Sequence, residues 1–530
     1  MAEHTAKFET LDSVEEDRVR KMYANRSILI TGGTGFLGKV LIEKFLRTCP
    51  EIEKLYLLVR PKRGREPCDR LGDIFSNVLF DGLKETRGLD TIINQCHVIS
   101  GDCSLPDLGI SDDDRKLLAE NVSIVYHCAA TVRFDETLKR AVLLNTRGTK
   151  LMLELSKTFK KLALFCYVST SYCHLNERLL MEKPYPAPAD PHRIIKSIEW
   201  LDEEVVHAMT RQILGNFPNT YAFTKCLSEA LVVEQMDEMP AVIMRPSIVI
   251  PIRYEPIPGW TDNINGPTGL LIGAGKGVLR SMYCNSSSYG DYLPVDYAVN
   301  GIMVSSWNFV YNKDFSRRVY HLVSSAEIKV SWKELIDCGR WIICNKLPLN
   351  GVVWYPGGSM KSSRLHHNIC CILFHWIPAI LIDCLLFCLR YPPVLCRVQR
   401  RIQKGFDVFE YYANNQWDFD NSNVLYLRTI INKTEEQRYA IEDKQIDMYE
   451  YFEHCIHAAR LYILKETDDT IPAARRHMKV MYAVDRIVRF LFLGLFIYYV
   501  GGAIFGSFFS TSSVMIADSI VDTLDANVSA

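Results

Sequence analysis

An α/β fold built on a doubly wound parallel sheet is what this sequence predicts, and three observations predict it. Short, β-branched apolar runs recur through the first half of the chain, each followed by helical spacing. The first run feeds a glycine-rich turn, Thr31-Gly-Gly-Thr-Gly-Phe-Leu-Gly38. After residue 345 the alternation stops, long helical stretches follow, and residues 490–509 carry no charge at all. The expected architecture is a Rossmann-type sheet, then a mostly helical C-terminal domain, then a C-terminal transmembrane helix. Its expected divisions are a polar leader at 1–24, a dinucleotide-binding and substrate-binding part at 25–345, the helical domain at 346–470, an anchor at 487–510 and a short tail at 511–530.

Ser27 to Ile30 is the first buried strand, and Leu37, Val40, Leu41 and Phe45 start a helix inside the glycine run. Two patterns overlap there: Gly33, Gly35 and Gly38 fit G-x-G-x-x-G, while Gly32, Gly35 and Gly38 fit G-x-x-G-x-x-G. Glycines allow the sharp turn and let a pyrophosphate approach the free N–H groups of a helix N-terminus. Gly32, Thr34, Gly35, Phe36, Leu37 and Gly38 are therefore the expected cofactor contacts in this turn. Leu55 to Val59 is the second strand and ends in Arg60, with Lys62 and Arg63 just beyond. An acidic residue at that strand end suits a free ribose 2′-hydroxyl, whereas a basic one accommodates a 2′-phosphate. Arg60 thus selects NADPH.

His97 to Asp102 reads as the third strand, with Asp102 as an adenine contact. Ser123 to His127 is the fourth, and small residues after it, Ala129 among them, let a flat ring lie against backbone. A helix from Glu136 to Phe159 contains Asn145, a residue unfavourable in mid-helix unless it has a buried role. Ala163 to Val168 is the fifth strand and breaks into Ser169-Thr170-Ser171. The connection from there to Asn219, with its proline cluster at Pro184 to Pro191, is long enough to be a lid or substrate loop. Tyr221 and Lys225, four apart at the start of a helix, share one face. Ala241 to Pro246 is a further strand, and Pro246 and Ile248 are expected to continue along the cofactor. Tyr283 to Val295 reads as loop, with Asp296 opening a helix.

Among 530 residues, 61 basic side chains face 62 acidic ones, so total charge gives no footprint for nucleic acid. Seventeen cysteines show no paired metal spacing, and no metal is expected; they read as reduced thiols of a cytosol-facing protein. A charge-free stretch as long as 490–509 spans about 30 Å as a helix. Arg475, Arg476, Lys479, Arg486 and Arg489 precede it and the tail has no Lys or Arg, which puts the body in the cytosol. The membrane is left open between endoplasmic reticulum, the first choice, and peroxisome. A second apolar run, 369–389, contains His375, Pro378 and Asp383. It is expected to lie bent in the membrane interface, with His375 and Asp383 satisfying polar groups and not catalysing. Asn527-Val-Ser529 matches a glycosylation acceptor.

These residues resemble the extended short-chain dehydrogenase/reductase family and, more narrowly, the fatty acyl-CoA reductases of animal and insect type. The resemblance rests on TGGTGFLG from Thr31, YVSTSY from Tyr167, YAFTK from Tyr221, RPSIVIP from Arg245 and GDYLPVD from Gly290, and it continues through Lys404–Phe409 and Asn415–Asn421. It implies NADPH-dependent reduction of a fatty acyl-CoA to a primary alcohol through an aldehyde. It also implies Tyr221 as proton donor, Lys225 as the group that lowers the tyrosine pKa and binds the nicotinamide ribose, and a hydroxyl from Ser169-Thr170-Ser171 on the reacting carbonyl. Alternation at the strand end favours Thr170, with Ser171 as the alternative. A membrane-bound hydroxysteroid dehydrogenase and a non-catalytic NADPH- or lipid-binding membrane protein are the competing readings. Oligomeric state, acyl chain length and saturation are not legible.

Overall fold

Seven strands form one parallel sheet: β1 (Ser27–Thr31), β2 (Lys54–Val59), β3 (Cys96–Ser100), β4 (Val122–His127), β5 (Leu164–Val168), β6 (Ala241–Pro246) and β7 (Val319–Leu322). Their spatial order is β3-β2-β1-β4-β5-β6-β7. Every neighbouring pair is parallel, with Ile30 of β1 opposite Leu57 on one side and Tyr126 on the other. The chain winds outward in one direction from β1 to β3 and in the other from β4 to β7. The switch therefore falls between β1 and β4, where ligands of such sheets bind at the strands' carboxyl ends. The computed structural model describes residues 15–61, 69–264, 266–324, 328–441 and 446–528, with 502–528 as backbone.

The strands are near-continuous apolar runs because helices cover both faces. Four helices frame the sheet and its substrate side: α1 (Phe36–Thr48), α2 (Thr220–Val233), α3 (Pro267–Gly275) and α4 (Val295–Val310). Side chains alternate along each strand. Ile28 and Ile30 accordingly join Leu41, Phe45 and Val299 in one core layer. Leu29 joins Val125, Met152 and Leu227 in the other. The helix expected over 136–159 is observed from Leu138 to Ser156, but with a wide π-type segment at Val142–Arg147 that contains Asn145. The long connection to Asn219 contains two helices, Pro191–Trp200 and Glu203–Leu214. The region expected as loop from Tyr283 to Val295 contains short strands, among them Tyr292–Pro294, which pairs in parallel with Ile248–Ile250.

The second half is mainly helical: α5 (Trp332–Asn345), α6 (Arg364–Cys388), α7 (Leu395–Asn414), α8 (Met448–Ala458) and α9 (Ile471–Val528). Its own apolar cluster gathers Leu335, Ile342 and Ile343 from α5 with Phe452 and Ile456 from α8. It is tied to the sheet by a short parallel strand pair, Asp418–Phe419 with Leu179–Leu180. A buried Glu435 carboxylate also binds the Arg18 guanidinium at 2.6 Å near the start of the described chain. Every described cysteine is a free thiol.

Two apolar helices differ in kind. In α6, His367, Cys371, His375, Ala379 and Asp383, four residues apart, face the protein, while Leu373, Phe374, Leu381 and Phe387 face outward. A strict four-residue repeat drifts around a 3.6-residue helix, and the π segment Ile372–Trp376 takes up part of that drift. His375 Nε2 accepts the Arg280 amide at 2.9 Å, and Asp383 accepts the amides of Val394, Leu395 and Cys396 at 2.8–3.0 Å. Both thus serve as polar satisfiers, as expected. Among the residues whose side chains are described, which in α9 end at Gly501, α6 is the one helix long and apolar enough by length and composition to cross a membrane. In α9, Ala474, Met478 and Asp485 still pack on the body. The Trp354 indole N–H donates to Asp485 at 2.7 Å. Beyond that point the large apolar side chains from 490 to 499 are 53–74% exposed. The helix does not stop at 510; its backbone continues to Val528.

Candidate active site

The glycine turn is held closed by its own backbone. Gly35 N–H donates to Gly32 C=O at 2.9 Å. Gly32 has φ +75°, and a Cβ there would stand 2.8 Å from the Ala129 nitrogen. Gly38 lies in the first turn of α1, where a Cβ would run into the Gly32 carbonyl and sit 2.8 Å from Gly33 Cα. Gly35 caps α1 with no side-chain bond, so the first-turn N–H groups of Phe36, Leu37 and Gly38 are left for an incoming anion. Thr34 stands partly exposed at the tip of this cradle. The residues present fit a dinucleotide pyrophosphate.

The other expected contacts lie at neighbouring strand ends. Ala129 N–H donates to Thr31 Oγ1 at 3.1 Å, and the same oxygen meets His127 Nδ1 at 2.8 Å. Burial, with Lys225 adding to it, holds His127 down to about 3, so the ring is neutral. Asn145 is buried; its Oδ1 accepts the Thr131 amide at 2.8 Å and its Nδ2 donates to Thr224 Oγ1 at 2.9 Å. It thereby joins the loop after β4 to α2. Arg60 follows β2 with a guanidinium 58% exposed and its Nε 3.9 Å from Asp102 Oδ2. Asp102 is not in β3, as the sequence suggested. The strand ends at Ser100, and Asp102 turns out of the ladder to accept Ser104 N–H and O–H at 2.8 and 2.7 Å. Lys62 and Arg63 lie outside the described residues.

At the end of β5 the backbone is anchored to β6: Ser169 N–H donates to Met244 C=O and Ser171 N–H to Pro246 C=O. Thr170 Oγ1 accepts the Tyr172 amide at 3.2 Å. That leaves the Thr170 hydroxyl hydrogen free to donate, on the side of the neighbouring Tyr221 phenol. Ser169 and Ser171 hydroxyls are buried without a partner among the described residues. Asn219 caps α2 by accepting the Ala222 amide at 2.9 Å, which fixes Tyr221 in the first turn and Lys225 one turn on. Lys225 Nζ donates to Val168 C=O at 2.7 Å and lies 4.8 Å above the Tyr167 ring. Burial brings Lys225 down to about 8. The resemblance implies a tyrosine pKa lowered by Lys225; in this structure burial raises Tyr221 above the usual phenol range, and the nearby Thr170 hydroxyl opposes the shift.

The structure adds residues the sequence reading did not single out. Tyr412 of α7 receives a hydrogen bond from Asn219 Nδ2 at 2.9 Å, and Phe134 stacks on Tyr412 and leans against Tyr221. Tyr172 meets Trp417 and Phe419 edge-on. An aromatic wall from the second half therefore covers Tyr221. Beneath α2, Glu229 is buried against Arg245 at 2.7 Å and His174 at 3.0 Å. Cys173, His174 and Glu229 place ligand atoms close together, but the Glu229 charge is already matched by Arg245, so the cluster is an ion-pair network.

Two family models, both described as Male sterility protein, match the chain: an NAD-binding model over residues 30–302 and a second over 374–466. Fatty acyl-CoA reductase wat of Drosophila melanogaster is 36% identical over 87% of this chain and 88% of its own. Fatty acyl-CoA reductase 1 of Rattus norvegicus is 34% identical over 90% and 93%. The chain belongs to the fatty acyl-CoA reductase family. As a member of that family it is a nicotinamide-dependent oxidoreductase, and the glycine cradle lies within the NAD-binding match. The solved structures bear on the fold alone. The reductase domain of a nonribosomal peptide synthetase from Mycobacterium tuberculosis has a TM-score of 0.55 at 18% identity, covering 85% of this chain and 97% of that one. The terminal R domain of the myxalamid pathway has 0.54 at 19%, covering 83% and 91%.

Proposed function

We propose that this reductase converts long-chain fatty acyl-CoA to primary fatty alcohol through an aldehyde, with NADPH as reductant. The observation that carries the reading is the gathering of the glycine cradle, Thr170, Tyr221 and Lys225 at the carboxyl ends of the central strands and the helix starts beside them. Gly32, Thr34, Gly35, Phe36, Leu37 and Gly38 would hold the pyrophosphate. Asp102, Ala129 and Asn145 would line the adenosine and ribose side, and Pro246 and Ile248 the nicotinamide side. Arg60 supports the phosphorylated cofactor, because among the described residues its exposed guanidinium has only a long-range partner in Asp102. When bound, the cofactor supplies hydride to the substrate carbonyl carbon.

The protein's own residues manage the oxygen and its proton. The Thr170 hydroxyl, its acceptor side taken by the Tyr172 amide, donates to the reacting carbonyl oxygen. After the first reduction the oxyanion collapses and expels the coenzyme A thiolate, giving the aldehyde. After the second, Tyr221 donates its proton to the alkoxide; its raised pKa keeps that proton in place at neutral pH. Lys225, held by Val168, has two further N–H groups for the ribose. No acyl-enzyme forms, and no cysteine takes part.

We also propose that α9 anchors the body to a membrane from about residue 487 onward, with the catalytic half in the cytosol. The exposed apolar band after Asp485 and the basic residues before it support this. The test is purified protein with NADPH or NADH and acyl-CoAs of several lengths, with products identified by mass. The expected result is fatty alcohol, free CoA and about two NADPH oxidised per alcohol. Consumption of NADPH without CoA release would overturn the acyl-CoA assignment.

A further inference from the structure

Two adjoining chambers, the first almost wholly apolar and the second with a partly polar rim, lie among α3, α5 and the short strand pairs. The first is a narrow, almost wholly apolar cleft between α3, α5 and α8. Its inner edge is formed by Ile250 and Tyr292 of the short strand pair. Ile248, on the same strand and the same side as Ile250, packs both against the cluster containing Tyr172 and against the cluster containing Trp332. Apolar contact thus runs from two residues past Thr170 into the cleft. The second chamber is roomier and shares Pro267, Leu271, Leu335 and Ile343 with the first as a common wall. Its far side is lined by Ser281, Met282 and Met360, on the strand pair Ser281–Tyr283 with Ser359–Lys361. Ser281 is also where α6 docks, through a 2.9 Å contact to His367.

Ordinary packing explains small gaps in such a helical region, but not the hydroxyl of Tyr292. It is buried in an almost wholly apolar cleft and has no hydrogen-bond partner among the described residues. A native structure rarely leaves such a group unmet unless a ligand or water meets it. The neighbouring hydroxyls are committed: Tyr451 donates to Pro251 C=O at 2.6 Å and Ser324 to Tyr292 C=O at 2.6 Å. The wall is tight as well. A Cβ at Gly339 would stand 2.6 Å from Leu271 Cδ2, so any side chain at 339 displaces Leu271.

We propose that the first chamber holds the acyl chain of the substrate, and that Leu271, Leu335 and Ile343 form the stop that sets the chain length accepted. Tyr292 stands at its inner edge, where the polar end of the substrate enters. The second chamber is the space into which a longer chain passes when the stop is removed. This rests on the acyl-CoA reductase reading above and adds to it the location of the chain.

Wild type, Leu271→Ala and Gly339→Ala are compared across an acyl-CoA series, with NADPH binding and melting temperature measured on each. Leu271→Ala should shift kcat/KM toward longer chains, by roughly fourfold for each methylene newly buried. Gly339→Ala, pushing Leu271 into the first chamber, should shift it toward shorter ones. Unchanged chain-length profiles in folded, NADPH-binding variants overturn the chain site while leaving the reductase reading intact. Wild type inactive on every acyl-CoA overturns the reductase reading itself. Wild-type protein treated with a diazirine-bearing fatty acyl-CoA gives a result that no variant's folding affects. Labelled peptides from 267–275, 332–345 or 448–459 support the site, and labelling confined to other peptides overturns it.

Discussion

The sheet half and the helical half of this reductase build the active site in opposite ways. In the sheet half, each proposed cofactor or catalytic residue except Asn145, which sits in the π segment Val142–Arg147, lies at or near the carboxyl end of a strand or in the first turns of α1 and α2. Its position follows from local geometry: a strand ends, a glycine turns, a cap starts the next helix. In the helical half, Tyr412 and Trp417 reach the site only because α7 and the strand at Asp418–Phe419 fold back onto the connection after β5. The difference teaches that reducing chemistry is carried by short-range structure, whereas the cover over it is carried by contacts between segments far apart in sequence.

Four experiments break or sharpen that contrast. Replacing Tyr221 with Phe should cost roughly 10²- to 10⁴-fold in alcohol formation, the usual worth of a positioned acid. NADPH affinity, read by fluorescence titration, should stay nearly unchanged; unaltered turnover would remove Tyr221 from the mechanism. Gly38→Ala puts a methyl against the Gly32 carbonyl and 2.8 Å from Gly33 Cα. The expected cost is about 1–3 kcal/mol of stability, seen in melting, with a clear loss of NADPH affinity. A variant that binds NADPH as tightly as wild type would mean that the turn is not the cradle.

The third concerns pH. Burial brings Lys225 to about 8 from 10.5, so the ammonium is the main form only below about 8. The kcat/KM for reduction should therefore fall as pH rises through that value. The stability contribution has the opposite slope: between about 8 and 10.5 the unfolded lysine holds the proton that the folded one has lost, so stability rises across this window. A flat rate profile up to pH 10 would free the mechanism of the ammonium. The smallest effect is expected on the far side of the contrast. Tyr412→Phe removes the bond from Asn219 and should cost about 1 kcal/mol in stability, with KM for acyl-CoA raised a few-fold and kcat retained. A loss in kcat as large as that of Tyr221→Phe would move Tyr412 from cover to chemistry.

Buried parallel strands are the most legible objects in a sequence, because an uninterrupted apolar run has few other uses. The strands from β1 to β6 lie within a residue or two of the runs that announce them. The glycine cradle and the Tyr221–Lys225 turn were equally visible. Asp102 was displaced from its expected strand because Ser104 competes for its carboxylate, a preference that strand patterning does not register. Nothing local marks the π segment around Asn145 either; it exists because Thr131 and Thr224 both need that side chain. The Tyr412 wall, and the way the polar stripe of α6 finds Arg280 and the 394–396 amides, depend on segments distant in sequence or on a turn between helices. Neither leaves a periodicity to read.

The two-residue strand at Asp418–Phe419 has a bearing on biosynthesis. It pairs with Leu179–Leu180, beside the long connection that carries Tyr172. A ribosome releases the sheet half first, and that half can condense as a unit, but the roof over Tyr221 must wait until residue 419 has emerged. The hydrophobic stretch after 487 is translated later still. The order of translation thus favours a finished catalytic chamber before the exposed apolar band of α9 emerges.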